Sequence, residues 1–393
     1  MLSPQIAQLE DFAFARLARL LGDVRPATAG VDLGIGDPKG DPPDWLADVI
    51  ATHRADWRGY PPPAGTPGLR RAIAAWLERR YAVAVDPDRE ILPVCGTKEA
   101  LHLIAGIIVD PMAADPTAVL VPNPLYQTYV GGAVIAGAEP IALPATAETG
   151  FLPDLDALVP ALLDRAAILF LCSPSNPQGA VAERAYWARA LELARAHDVV
   201  LVADECYSEI HHGVPPPGAL AAAAATSDGL RNLLAFNSLS KRSNAAGLRS
   251  GFVAGDARLI EAFLKVRRYG GATLPLPIQA ASAALWADEG HVEAIRASYT
   301  AKLDAALQLL HGRFGAYRPS GGFFLWLDVG DGERAAAAVY AKTGHRILPG
   351  RYVCTAAADG STPGDRYVRI ALVHDPAITS TAIAQVADAL EHS

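Results

Sequence analysis

Six short apolar runs, at 91–95, 118–121, 167–172, 199–203, 233–236 and 251–254, are separated by longer stretches with helical spacing. Most are β-branched or continuously apolar, as strands covered on both faces must be. Between them Ala100, Leu101, Ile104, Ile107 and Ile108 recur on one helical face, as do Trp187, Leu191 and Ala194. Strand–helix alternation of this kind predicts an α/β fold with a mostly parallel, helix-sandwiched sheet. In such a sheet, ligands bind beyond the carboxyl ends of the strands.

The pattern changes after residue 276. One long helical segment is expected after Pro277, through Leu285, Ile295, Leu303 and Leu310. Strand-like pieces at 322–327 and 367–373 then flank a helical run at 333–342. This reads as a smaller α+β domain, against which the first 45 residues, with a helix at 12–21, are expected to pack. The expected division is a large domain at 46–289 and a small one formed by 1–45 and 290–393. The proline-rich stretches 60–68 and 211–218 read as stiff loops.

Several function classes are disfavoured. A net charge of -8 argues against a nucleic-acid partner. No uninterrupted apolar stretch is long enough to span a membrane, and the first residues, MLSPQIAQLEDF, have no basic n-region, so no signal peptide is expected. Cys95, Cys172, Cys206 and Cys354 show no C-x-x-C spacing and read as reduced thiols, which makes the cytoplasm the expected compartment. His211 and His212 are adjacent, so on an extended chain they face opposite sides and no metal site is expected.

The residues that follow the first five runs carry the chemistry. Gly96-Thr97-Lys98 follows one, Pro122-Asn123-Pro124-Leu125-Tyr126 another, and Ser173-Pro174-Ser175-Asn176-Pro177-Gln178-Gly179 a third. Asp204-Glu205-Cys206-Tyr207 and Asn237-Ser238-Leu239-Ser240-Lys241 complete the set. A glycine at a strand-to-helix junction exposes backbone N–H groups that suit a phosphate. Ser238, Ser240 and Arg249 add hydroxyls and a forked cation for the same anion. A lysine with a lowered pKa can condense with an aldehyde, and a buried aspartate such as Asp204 can keep a pyridine nitrogen protonated. A phosphate site, a lysine and a buried acid together are what pyridoxal 5'-phosphate (PLP) requires.

These motifs, together with Tyr60, Gly65-Thr66-Pro67-Gly68-Leu69-Arg70 and Arg369 in Tyr-Val-Arg-Ile-Ala, resemble the class I/II aminotransferases of PLP fold type I over essentially the whole chain. The resemblance implies roles. Lys241 would bind the cofactor's aldehyde, Asp204 would pair with the ring nitrogen, and Asn176 and Tyr207 would bond the phenolic oxygen. Tyr126 would stack on the ring. Gly96, Thr97, Lys98 (through its backbone), Ser238, Ser240 and Arg249 would hold the phosphate. Tyr60 would reach that phosphate from a neighbouring subunit, so a homodimer with a shared site is implied. Arg369 would clamp the substrate α-carboxylate, with the backbone near Gly36 assisting. Ser250 departs from the family, which usually has an apolar residue there.

Taken singly, these residues have ordinary structural roles: Tyr126 and Tyr207 as core aromatics, Asp204 as a helix cap, Arg369 as an ion-pair partner. Their joint order carries the reading. A serine acylase is a rival, because Ser238-Leu-Ser-Lys241 and Lys342-Thr343-Gly344 match S-x-x-K and K-T-G. However, 233–239 reads as strand and Lys342-Thr343-Gly344 as a helix end with its glycine. Fold-type-I C–S lyases share the motifs; release of pyruvate and ammonia from cystathionine would mark one. PLP-binding transcriptional regulators of this fold carry a further DNA-binding domain upstream, for which no room is expected. The run Ser238 to Asn244 with Gly247 to Asp256 is most similar to bacterial N-succinyldiaminopimelate aminotransferases. That likeness implies glutamate as donor, 2-oxoglutarate as product and a step in lysine (diaminopimelate) synthesis; the alternative within the family is an aminotransferase of aspartate, alanine or acylornithine type. Arg242 and the loop 269–273 are the expected residues of the substrate-specific pocket.

Overall fold

The computed structural model describes residues 2–113, 115 and 117–392. Its larger sheet contains β1 Ile91–Val94, β2 Ala118–Asn123, β3 Glu139–Pro144, β4 Ala166–Cys172, β5 Val200–Asp204, β6 Leu233–Ser238 and β7 Gly251–Gly255. Their order is β1-β7-β6-β5-β4-β2-β3. Neighbours run parallel except at β7, which is antiparallel to both β1 and β6.

Every residue of β1, β2, β5, β6 and β7 is buried. Alternate residues feed two separate cores, as the two-residue period of a strand requires. Val119, Ile168, Val200, Val202 and Phe236 meet the helices Thr97–Ile108, Gln127–Ile135 and Ala257–Tyr269. Leu120, Leu169, Leu201, Ala203 and Phe252 meet the helices Pro67–Tyr81, Arg184–Ala196 and Leu276–Ala287 on the other face. The sheet is therefore sandwiched, as its apolar runs required.

Two local expectations are corrected and a third holds. β3 is an edge strand absent from the sequence reading, because Pro140 and Pro144 interrupt its apolar pattern. The segment after Pro277 is two helices, Leu276–Ala287 and Gly290–Leu310, broken where Asp288 turns extended. The sequence KTG is the end of the helix Gly332–Thr343, with Gly344 left-handed at φ 71°, and Ser238 closes a strand. Neither half of a serine acylase is in place.

The second sheet is antiparallel, β8 Phe324–Asp328, β10 Tyr367–Ala371 and β9 Leu348–Pro349 in that order. It shares a core with Leu33, Leu303, Leu310, Ile383 and Val386. Leu33 enters that core through its backbone: its N–H donates to Arg346 O at 2.8 Å, and Ala371 N–H donates to its carbonyl at 2.7 Å. The two sheets meet through Tyr207, Ile210, Phe323, Phe324 and Ala371, beside a bridge between His211 and Gly321. His211 and His212 serve this junction separately: His212 donates from Nε2 to Gly322 O at 2.8 Å, while His211 pairs with Gly213 O. Among the described residues, no helix is long and apolar enough to cross a membrane.

Candidate active site

A cavity of about 320 Å³ lies where the parallel strands end, lined by Tyr126, Asn176, Asp204, Tyr207, Lys241 and Arg249 among others. Arg369 of β10 faces it from the second sheet. The strand ends and Arg369 thus converge although they are far apart in sequence.

Asp204 is the last residue of β5 and only 5% exposed. Burial raises its pKa. Hydrogen bonds oppose that rise: Tyr129 Oη–H donates to its Oδ2 at 2.6 Å and Cys206 N–H to its Oδ1 at 3.2 Å. The Tyr129 ring is stacked on Phe170, with centroids 4.5 Å apart.

Lys241 sits in the four-residue helix Leu239–Arg242, capped by Ser238, whose hydroxyl accepts from Ser240 N–H at 3.1 Å. Its Nζ donates to Gly36 O at 2.6 Å. Burial lowers its pKa from 10.5 to about 8; Arg369 and Arg249 act in the same direction, against Cys206 and Asp37. Gly36 is required there: a Cβ would lie 2.5 Å from the Phe324 ring.

The opposite end of the cavity is rich in donors. Gly96 caps the helix Thr97–Ile108 at φ 79°. Its own N–H is used by Val94 O, so the expectation that it is free is corrected. What Gly96 supplies is room, since a Cβ would stand 2.3 Å from Arg249 Nη2. The helix's first N–H groups lack intrahelical partners and point outward. Ser238, Ser240 and Arg249 border the same region, and Thr97 Oγ1 lies 3.1 Å from Cys206 Sγ. The Lys98 ammonium lies over the Phe12 ring at 4.7 Å, at the cavity's edge. Ser250 is outside the cavity, fully buried and paired with the Ser282 hydroxyl at 2.7 Å.

Arg369 is 5% exposed and lies over the Phe324 ring at 4.5 Å. Nη2 donates to Gly34 O at 2.7 Å and Nη1 to Asn176 Oδ1 at 3.1 Å, while Nε is buried without a partner. Burial lowers its pKa to about 10, so it stays a cation at neutral pH. The backbone expectation is refined here: Gly34's carbonyl serves Arg369, and Gly36's serves Lys241. Asn176 keeps its NH₂ as the available donor. Tyr207 packs edge-on against Phe323 and Phe324, and burial raises its hydroxyl pKa well above the usual value. Tyr126 precedes the helix Gln127–Ile135 and sets its ring at 90° to Tyr129.

Three expected positions lie outside this chain's cavity, Tyr60 among them as a residue expected to serve a neighbouring subunit. Tyr60 is fully exposed and does not line the cavity of its own chain. Arg242 is corrected from a pocket residue to a buried strut between Trp76 and Trp286, because its guanidinium bonds Leu285 O and Asp288 O. The loop 269–273 also lies away from the cavity, with Tyr269 91% exposed. Conversely, the sequence reading missed Tyr129. Its signal was the helix that begins beside Tyr126 at the end of β2, whose first turn must carry a side chain back over the strand ends.

A family model described as aminotransferase class I and II matches residues 28–388. LL-diaminopimelate aminotransferase of Desulforudis audaxviator is 35% identical over 384 residues, covering 94% of this chain and 92% of that protein. The crystal structure of an aminotransferase from Neisseria meningitidis superposes with a TM-score of 0.94 at 38% identity, covering 98% of this chain and 99% of the other. The structure of a probable N-succinyldiaminopimelate aminotransferase from Thermus thermophilus gives a TM-score of 0.84 at 25% identity, covering 96% of this chain and all of the other.

Proposed function

This chain belongs to the aminotransferase class I and II family, whose members depend on PLP, and from that premise we propose that it transaminates a diaminopimelate-class substrate against glutamate and 2-oxoglutarate. The observation that carries the reaction type is the convergence of Lys241, Asp204 and Arg369 on one cavity. The residues fit the cofactor. A buried acid stands at one side, an amine with a lowered pKa at another, and the donor set around Gly96 contains a cation and hydroxyls.

When bound, PLP supplies an electrophilic carbonyl and an electron-poor ring that takes up the charge left when the substrate Cα loses its proton. The chain's own residues do the rest. Asp204, whose carboxylate form the Tyr129 and Cys206 hydrogen bonds favour, would pair with the ring nitrogen. Thr97, Lys98 N–H, Ser238, Ser240 and Arg249 would hold the phosphate; Asn176 and Tyr207 would donate to the phenolic oxygen, and Tyr126 would cover the ring. Arg369 receives the substrate α-carboxylate through its planar fork. Lys241, its pKa lowered from 10.5 to about 8, loses its proton far more readily than an ordinary lysine, mainly in mild alkali, and carries the proton from Cα. The two half-reactions share one site, so the kinetics are ping-pong. Tyr60, exposed on this chain, would complete the phosphate site of a second copy in a homodimer.

For the substrate, the run SLSKRSN favours the N-succinylated diaminopimelate, and the relative at 35% identity favours the unacylated LL-form as a second reading. Both have a distal carboxylate. Among the described cations lining the cavity, Lys98, whose ammonium lies over the Phe12 ring at the cavity's edge, is our candidate partner for that group. The test measures amino transfer from glutamate to the keto acid of each form, with cystathionine as the lyase control. Transfer to neither, or release of pyruvate and ammonia from cystathionine without a keto acid, would overturn the proposal. A Lys241→Ala variant that still turns over would remove the lysine's assigned role.

A further inference from the structure

The triplet after the lysine, Arg242-Ser243-Asn244, takes no part in the cavity, yet each member reaches a different element. Arg242 donates to Leu285 O at 2.7 Å and to Glu289 Oε1 at 2.8 Å. Ser243 is fully buried, and its hydroxyl meets His291 Nε2 at 2.8 Å. Asn244 stands left-handed at φ 49°, with Nδ2 close to Gly40 and 3.5 Å from Asp41 O.

The directions of the central bonds follow from the partners. The Asp288 carboxylate only accepts, so His291 Nδ1–H donates to it. That leaves Nε2 as a lone pair for the Ser243 hydroxyl. Ser243 Oγ in turn lies 3.5 Å from Arg242 Nη1, a further donor. Besides Asp288 and Arg242, the edge of Trp45 faces the His291 ring, 6.2 Å between centroids. The arrangement has the members of a serine–histidine–aspartate triad. With the serine sealed from solvent and cavity, it is a strut rather than a nucleophile.

The strut matters because the helix Leu239–Arg242 is too short to hold its own orientation. It is closed by Ser243 N–H donating to Leu239 O at 3.0 Å, with Ala245 N–H reaching the same oxygen at 3.4 Å. Asp288 and His291 lie at the break between the helices Leu276–Ala287 and Gly290–Leu310, the second of which enters the core of the smaller sheet through Leu303 and Leu310.

We propose that Ser243 and His291 are positioning residues for Lys241, tying the turn that carries the lysine to the joint at 288–291. The tie keeps the Lys241 amine beside Gly36, in the environment that lowers its proton affinity. The inference rests on Lys241 being the lysine that binds the cofactor aldehyde.

The test compares purified PLP-loaded Ser243→Ala, His291→Phe and His291→Gln with the parent protein. The readouts are the pH midpoint of the bound cofactor's visible absorbance, kcat and KM, and the unfolding temperature. The first two variants are expected to displace the midpoint by about half a pH unit or more and to lower kcat about tenfold, with KM within about twofold. His291→Gln, which keeps an acceptor for Ser243, restores much of both. Where a variant holds no cofactor, Lys241 is titrated in the cofactor-free protein by pH-dependent acylation, with the same displacement expected. A fall in unfolding temperature with midpoint and kcat unchanged would reduce the strut to a stabilising contact and overturn the proposal. Lys241→Ala is run alongside: retention of the lysine-linked absorbance there would sink the assignment of Lys241 instead.

Discussion

Tyr129→Phe isolates one hydrogen bond at the acid of the site. Phenylalanine keeps the ring stacked on Phe170 and removes only the hydroxyl that donates to Asp204 Oδ2 at 2.6 Å. A buried hydrogen bond to a charged group is worth about 2 kcal/mol, which is roughly a 30-fold change in the proton affinity of Asp204. The sign is fixed by the donor: Tyr129 stabilises the carboxylate, so its removal favours the protonated acid. Burial already raises the Asp204 pKa, and the substitution adds to that rise. Protonated Asp204 loses its attraction for a protonated ring nitrogen. The variant should therefore release PLP on acidification at a higher pH than the parent, with the two converging in mild alkali. Equilibrium dialysis of PLP across a pH series, read by absorbance, measures both release curves. Coincident curves would refute the placing of Asp204 against the ring nitrogen, the Tyr129 bond as its support, or both; Asp204→Asn then separates the two.

Arg369→Lys keeps the charge but loses the fork, so KM for amino and keto acids should rise about 100-fold with kcat changed far less; steady-state kinetics decide it. Gly96→Ala places a Cβ on Arg249 Nη2 in a left-handed backbone, and PLP affinity should fall about tenfold in a direct titration. Glu205 is buried with Oε2 unpaired, and burial raises its pKa from 4.5 to about 7. Its folded pKa exceeds its unfolded one, so its contribution is fully present below about 4.5 and lost as pH rises through 7, up to ~3 kcal/mol. Glu205→Gln should then raise the unfolding temperature at pH 8 and progressively less toward pH 5; a uniform shift at all pH values would refute this.

Much of the site was legible because strands covered on both faces are apolar until they end, and polar chemistry then begins abruptly. Lys241, Asp204, Asn176 and the Gly96 junction all stand at such ends. β3 was not legible, since an edge strand tolerates the prolines that disqualify a central one. Nor was the break at Asp288 read, because apolar spacing continues across it; Asp288 and Gly290, both poor helix formers, were the local signal. Arg242 misled for a physical reason: an arginine beside the lysine looks like a substrate cation, and nothing local reveals two tryptophans waiting to bury it.

By itself, then, the sequence determined the sandwiched parallel sheet, the order of its strand ends and the residue types delivered there, because local periodicity and strand termination are properties of short stretches of chain. Only the tertiary structure decided that β7 runs antiparallel, that Tyr129 supports Asp204, that Gly34 and Gly36 divide their carbonyls between Arg369 and Lys241, and that Ser243 leans on His291. Each of those contacts joins residues distant in sequence. Their energies depend on burial and distance, which no local pattern encodes. The feature SLSKRSN changes meaning accordingly: its first half lines the cavity, and its second half packs behind it against the joint at 288–291.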